Sequence, residues 1–446
     1  MSSAIVLGRE ADAIDAARFI RSQALPTAPL IASAANRVLR SADIAYEEDL
    51  DAPSADPEVR LAHEAIRHLR ARLVRDPRNA IAAVDLARQY SLVGLKDKAV
   101  AAIRRALLLA PDNRFVVRSA ARLYVHFGDP ERAHSLFVRR PATLADPWLL
   151  STEISVAAVA GRTSRHVKLG REMILDDAFG LSDLSELAGA VGTVELGAGE
   201  TKKAKKFFRK SLLQPTDNSV AQATWATGEM TGFEVDPESL RTPRAFEART
   251  REAHRAQDWH AAVSNSEQWL KDEPFSSRPA TLGSYWAAVA LQDFKRSERI
   301  ARYGLQAEPT DPLLINNLAV ALAKSGRVDE AEKSICLVHW GSAPRGVQIA
   351  ATATKGLILF RLGSPDLGRT LYREAIDQCD SAEFDRTRAS ALLHLAVEEA
   401  NARTAFALDT AREALDAFAT RSQPDLAPMA DMLRAALTGR LARADR

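Results

Sequence analysis

The sequence predicts an all-α solenoid of helical hairpins, and three observations carry the prediction. Apolar residues recur at helical spacing in short blocks. Single glycines punctuate the blocks. The arrangement then repeats with a period of 34 residues. No block shows the strict alternation of a strand with one buried face.

The unit is clearest at 313–335, LLINNLAVALAKSGRVDEAEKSI. Leu314, Leu318, Ala321 and Leu322 stand at the i, i+4, i+7, i+8 spacing of an amphipathic helix. Gly326 supplies a residue that ends a helix in the left-handed region. Val328, Ala331 and Ile335 then begin a second apolar stripe, so two short helices and a tight turn form a hairpin. Neither helix hides its apolar face alone.

The same pattern is found along the chain. Helices without a clear partner are expected at 9–22 and 58–74. Within 80–143, Leu86, Ala87, Tyr90, Gly94, Ala99 and Ile103 shift by 34 onto Ala120, Ala121, Tyr124, Gly128, Ala133 and Phe137, each keeping its size class. The match weakens over 147–214, and a further helix is expected at 217–230. At 243–274, DWHAAVSNSEQWLKDEP aligns with the later DFKRSERIARYGLQAEP. The match is strong again at 278–378. There Tyr285, Ala288, Ser297 and Ala301 shift by 34 onto Ala319, Leu322, Ala331 and Ile335. A shift of 37 then carries Leu322, Gly326 and Ile335 to Leu359, Gly363 and Tyr372, the extra residues falling near CLVHWGSAPRG. Pro111 and Pro309 close two units. A last helix is expected at 424–441, where a terminal element caps the open face of the array.

At these residues the chain resembles the tetratricopeptide repeat family, with its 34-residue period, small residues where helices touch and proline near the end of each unit. The resemblance implies a right-handed superhelix, an α-solenoid in one or two lobes. It also implies binding of proteins or peptides in a concave groove lined by the first helix of each hairpin.

The expected organisation is a helical and acidic segment at 1–56, a lobe at 57–230, a joint at 231–244 and a second lobe at 245–446 ending in a capping helix. The joint reading rests on TGFEVDPESLRTPR, which has a glycine, two prolines and no helical period; the competing reading is a long loop inside one continuous solenoid. Residues 43–56 are acidic and proline-containing, an exposed linker that could fold over a basic groove. The formal net charge of +2 argues against a protein that coats nucleic acid but hides asymmetry, because residues 57–147 hold 17 Lys+Arg against 9 Asp+Glu. Two cysteines give no disulfide framework and suit a reducing compartment. With no signal-peptide pattern and no apolar run of bilayer length, the expected location is the cytoplasm. Abundant arginine and alanine hint at a GC-rich bacterial genome.

If the resemblance holds in register, Arg88 and Arg122 are equivalent inward residues of adjacent repeats. Arg118 lies one turn before Arg122, and His126 extends the stripe. Such a wall suits carboxylate or phosphate, so an acidic partner is expected for the first lobe. The competing reading is that these arginines are solvated or paired within the chain. In the second lobe the inward positions are Trp286, Asn316, Val320, Leu357, Phe360 and Arg361, an apolar groove fit for a helix or hydrophobic peptide. The family's clamp for C-terminal carboxylates uses lysines and asparagines. Asn316 and Asn317 are present but the matching lysines are absent.

TKKAKKFFRK at 201–210 places Lys202, Lys206 and Arg209 on one helix face with Lys203 and Lys210 beside it, while Ala204 and Phe208 face the packing side. A solvated face is the plainer reading, and an anion-binding face that tracks nucleic acid or an anionic membrane the sharper one.

Little else suggests chemistry. There is no glycine-rich phosphate loop, G-x-S-x-G or HExxH. Cys336 and His339 form a lone C-x-x-H with no second pair, which does not make a zinc site; a catalytic Cys–His pair needs only spatial proximity and is the remote reading for Cys336, a small buried residue the plainer one. His63 with His68 and His254 with His260 miss the i, i+4 spacing of a helical metal pair. Tyr90, Tyr124, Tyr285 and Tyr372 stand at packing positions. The expected function is a non-catalytic interaction scaffold without cofactor or metal. The alternative is a regulator contacting nucleic acid through 57–147 and the lysine cluster.

Overall fold

A computed structural model of the chain describes residues 10–22, 35 and 57–444, apart from 139, 177, 337, 339, 421 and 422. The acidic segment at 43–56, its suggested role as a lid, and His339 of the C-x-x-H lie outside the described residues. The described residues contain helices and no strand. The chain divides into two compact units, Leu50–Ser276 and Met1–Asp49 with Ser277–Arg446. Helix α1 (Glu10–Ser22) is grouped with the second.

The first unit begins with α2 (Pro57–Arg75) and continues as hairpins: α3 (Ala80–Leu92) with α4 (Lys96–Leu109), then α5 (Arg114–His126) with α6 (Pro130–Val138). After the single turn α7 (Ala142–Ala145) come α8 (Pro147–Val159) with α9 (Val167–Leu175) and α10 (Leu181–Gly197) with α11 (Thr201–Ser211). Helix α12 (Asp217–Glu229) stands alone, and α13 (Phe246–Arg255) pairs with α14 (Trp259–Asp272). The second unit holds α15 (Ser277–Val289) with α16 (Phe294–Ala307), and α17 (Pro312–Lys324) with α18 (Val328–Ile335). Then follow α19 (Arg345–Arg361) with α20 (Pro365–Asp377), α21 (Asp385–Ala402) with α22 (Ala407–Thr420), and α23 (Ala427–Ala444).

Local chemistry starts and stops these helices. Asn79 and Asn113, one period apart, accept hydrogen bonds from the Ala82 and Val116 amides at 2.9 and 3.2 Å and cap α3 and α5. Asp146, Asp258, Asp293 and Asp311 cap α8, α14, α16 and α17 in the same way. Between the helices of each regular hairpin the chain passes through the left-handed region. Glycine occupies that turn at Gly94, Gly128, Gly161, Gly199, Gly326 and Gly363, while Gln257, Gln292 and Arg403 hold it without glycine. Five residues past seven of these turns sits a small, buried residue: Ala99, Ala133, Ala204, Ala262, Ser297, Ala331 and Gly368. That residue lets the second helix approach the first.

The same marker explains 231–244. Gly232 makes the left-handed turn after α12, but Pro237 and Pro243 follow where a second helix would start. A 3₁₀ turn, Pro237–Arg241, takes its place. Phe233 is buried against Phe208, and Val235 and Leu240 pack near Val220, Ala245 and Ala248. The stretch expected as a joint is therefore part of the first unit's core, a hairpin with its second helix replaced. The boundary between compact units falls at 276/277 instead.

Each unit has its own apolar interior. In the first, Ile66, Val117, Tyr124 and Leu149 belong to one cluster and Leu150, Ile154, Leu187 and Val191 to the next. Helix α8 feeds both, Leu149 and Val156 the one and Leu150 and Ile154 the other. In the second, Leu318, Leu322, Leu357, Tyr372, Leu392, Leu395 and Phe418 form one cluster that the C-terminal residues Leu426, Met429 and Leu433 complete. No helix among the described residues is long and apolar enough to cross a membrane.

Candidate ligand grooves

The first helices of successive hairpins in the first unit carry the walls of a cavity of about 710 Å³. One wall is α5, with Arg114, Phe115, Arg118 and Arg122, an i, i+4 stripe of arginines. Next come Trp148, Thr152 and Ser155 of α8, then Glu186 of α10 and Asn218 and Gln222 of α12. The far side is Arg244, Glu247 and the C-terminal end of α14, with Trp269, Asp272 and Glu273.

The arginine stripe is where the sequence placed it, but it does not make a basic groove. Arg118 pairs with Glu186 and lies over the Trp148 ring, 4.8 Å from its centroid. Arg114 pairs with Asp146 at 2.6 Å. Arg122 pairs with Glu273 and stacks on Phe275 at 5.3 Å. Arg88 donates to the Asp272 carbonyl at 3.2 Å. His126 does not extend a cationic stripe. Its ring packs edge-on against Phe275 at 5.2 Å, and burial, aided by Arg122 and Lys96, lowers its pKa to about 4, so it is neutral near pH 7. Around the cavity four arginines face five carboxylates, Glu186, Asp217, Glu247, Asp272 and Glu273. The physical reason is that Glu186 and Glu273 lie far along the chain from the basic segment 57–147, so a segment count of charge does not become a groove charge. Burial raises the pKa of Glu186 despite Arg118 beside it.

The second unit corrects the expectation of a helix-sized apolar groove. Trp286 and Phe360 are buried, and Phe360 packs against Tyr372 at 6.1 Å. Arg361 pairs with Glu398 at 2.8 Å, and Glu398 also holds the buried Lys324 at 2.6 Å. Of the six expected inward residues, Asn316, Val320 and Leu357 line a cavity, and its volume is about 110 Å³. A helix about 10 Å across does not enter so small a space. The 3₁₀ turn Pro424–Leu426 reaches across to α15, where Tyr285 donates to Asp425 at 2.8 Å and Arg386 holds the same carboxylate at 2.5 Å. Tyr285 is thus a groove residue as well as a packing one. Nothing in its local spacing announces the ion network, because Asp425 is 140 residues away.

On α11, Ala204 and Phe208 are buried as expected, with Phe207 beside them. Lys202, Lys206 and Arg209 are exposed, Lys203 pairs with Glu200 at 3.3 Å, and Lys210 donates to the Ile174 carbonyl. Cys336 is exposed at the end of α18 rather than buried; local burial of its sulfur and nearby Glu332 raise its pKa, which disfavours the thiolate. Among the described residues no group of three or more His, Cys, Asp or Glu side chains is placed to hold a metal ion.

No protein-family model matches the chain, and no curated protein matches it. The fold is an all-α solenoid of tetratricopeptide-like hairpins, as its turns, caps and small-residue contacts show. Similar solved structures include yeast Tom70, at 14% identity over 86% of this chain and 94% of that one, with a TM-score of 0.33. A human IFIT1 dimer with PPP-AAAA aligns at 14% identity over 87% and 96%, with a TM-score of 0.40. The TPR2AB domain of yeast Sti1 in its pHSP90 complex aligns at 19% identity over 66% and 98%, with a TM-score of 0.20. Identities and scores this low carry no argument about what this chain binds.

Proposed function

We propose that the chain is a non-catalytic interaction scaffold whose first unit holds an extended, polar segment of a protein partner. The observation that carries this reading is the cavity of about 710 Å³, lined by arginines, carboxylates and small hydroxyl and amide side chains on rigid helices. A preformed surface orders little on binding, which keeps the entropic cost low. The balance of charge favours a segment with both signs over a purely acidic one. Its acidic groups compete with Glu186 and Glu273 for Arg118 and Arg122, and its basic groups meet Asp217 across the cavity. Phe115, half exposed at the rim, offers an apolar contact.

The test is a peptide library selected on the intact chain, with enriched peptides titrated by fluorescence anisotropy. Filling the cavity by Ser119→Trp plus Ser155→Trp should weaken the selected peptides about tenfold or more, the scale set by a lost central contact. Enriched peptides should carry both charges, and Lys206→Glu on α11 should leave them unaffected. Equal binding to the filled variant would discard the groove.

A second reading, contact with nucleic acid, has one observation in its favour: Lys202, Lys206 and Arg209 present an exposed face for which no ion pair is found among the described residues. Three phosphate contacts on duplex DNA correspond to a log–log salt slope of about −3. A slope of that size, removed by changing all three to glutamate, would promote this reading over the scaffold.

A further inference from the structure

The small cavity of the second unit has a chemistry of its own. Its floor is apolar, formed by Leu357, Ala391 and the ring of Tyr372, all buried. None of its lining residues carries a charge: Asn316, Asn317, His394 and the hydroxyls of Thr354, Thr387, Ser390, Tyr285 and Tyr372 are its polar groups, and the Tyr285 hydroxyl is engaged with Asp425. Burial, with Lys324 nearby, lowers the His394 pKa to about 3, which keeps the imidazole neutral. Two buried polar atoms there have no hydrogen-bond partner among the described residues: Asn316 Oδ1, an acceptor, and His394 Nδ1, an acceptor in the tautomer that carries its proton on Nε2. Asn316 is only 6% exposed. An unmet buried acceptor is costly, and folded chains rarely retain one without a water or ligand to meet it. Neighbouring polar groups are satisfied internally: Asn317 donates to the Ser284 hydroxyl at 3.0 Å, and Thr354 donates to the Ala350 carbonyl at 3.0 Å.

We propose that this cavity is a binding site for a neutral small molecule of about one-ring size that carries an N–H donor, of the primary-amide class. The volume of about 110 Å³ is of the order of the roughly 150 Å³ apolar cavity that holds a benzene ring in another protein. The donors of an amide meet Asn316 Oδ1 and His394 Nδ1, its carbonyl accepts from Ser390 or Thr387, and its apolar body lies on Leu357 and Ala391. A charged ligand is disfavoured because no counter-ion lines the cavity and desolvation is unrepaid. The proposal is independent of the first unit's groove.

The experiment uses the intact chain and ligand-observed NMR with four fragments of matched size: benzamide, toluene, benzoate and benzylammonium. Benzamide should bind most tightly and the two ions least. Asn316→Leu removes the acceptor at similar volume. It should weaken benzamide about fivefold, the worth of one hydrogen bond, and leave toluene equal or tighter. Ala353→Phe fills the cavity and should abolish both, with circular dichroism confirming the fold; Val320→Phe does the same from α17 if the first variant fails to fold. Equal affinity for benzamide and toluene, tighter binding of either ion, or no fragment binding at all would overturn the proposal. The last result would mean that the cavity holds water only.

Discussion

At the residue scale, the array depends on positions where a side chain has no room. In the hairpin of α19 and α20 two glycines face each other. A Cβ on Gly356 would lie 2.8 Å from the Gly368 carbonyl oxygen, and a Cβ on Gly368 would lie 2.5 Å from Phe360 Cδ2. Gly197, at the end of α10, has nothing within 4 Å of its would-be Cβ. The two sites separate intrinsic propensity from packing. Alanine gains up to about 1 kcal/mol over glycine in a helix. Overpacking a tight contact costs about 1–3 kcal/mol. Gly197→Ala should therefore be neutral or stabilising, while Gly368→Ala should lower stability by about 1 kcal/mol or more. Chemical denaturation of the two variants measures both, and a stabilised Gly368→Ala would mean that the helices are free to move apart.

At the element scale, hairpins were legible because their markers are local. Gly94, Gly128, Gly326 and Gly363 announce the left-handed turn, and a small residue five positions on, Ala99, Ala133, Ala331 or Gly368, announces the helix contact. The weaker repeat at 243–274 has a physical cause: Gln257 takes the turn at φ 59° without glycine, so the signal is in the backbone and not in the residue type. What stayed hidden was non-local. The arginine stripe Arg114, Arg118, Arg122 could be read from spacing, but Glu186 and Glu273 that face Arg118 and Arg122 are 68 and 151 residues away. Proline-rich 231–244 misled for a related reason, since proline shows that no helix forms but not whether the segment packs. Phe233 decides that point. It is buried and stacks near Phe208, their ring centroids 5.8 Å apart. Phe233→Ala should cost about 3–5 kcal/mol, as for a core phenylalanine. A flexible joint would lose almost nothing, and thermal unfolding of this variant distinguishes the two.

At the scale of the whole molecule, a solenoid is stabilised by contacts between neighbouring repeats, so its cooperativity extends only as far as those contacts are strong. The chain has two compact units with separate apolar clusters: Leu187 belongs to one of those in the first unit and Leu392 to that of the second. Both leucines are essentially inaccessible, at 0% and 1% exposure. Truncating a leucine in such a site costs about 2–5 kcal/mol, through lost transfer energy and the cavity left behind. Unfolding of two units need not be two-state. We expect calorimetry to resolve two transitions. Leu187→Ala should lower the midpoint of one and leave the other in place, and Leu392→Ala should do the reverse. Tryptophan emission assigns the transitions, because Trp148, Trp225, Trp259 and Trp269 fall in the first unit and Trp286 and Trp340 in the second. The fluorescence change should therefore be weighted toward the transition that Leu187→Ala shifts. A single transition displaced equally by both substitutions would show instead that the two clusters unfold as one cooperative body.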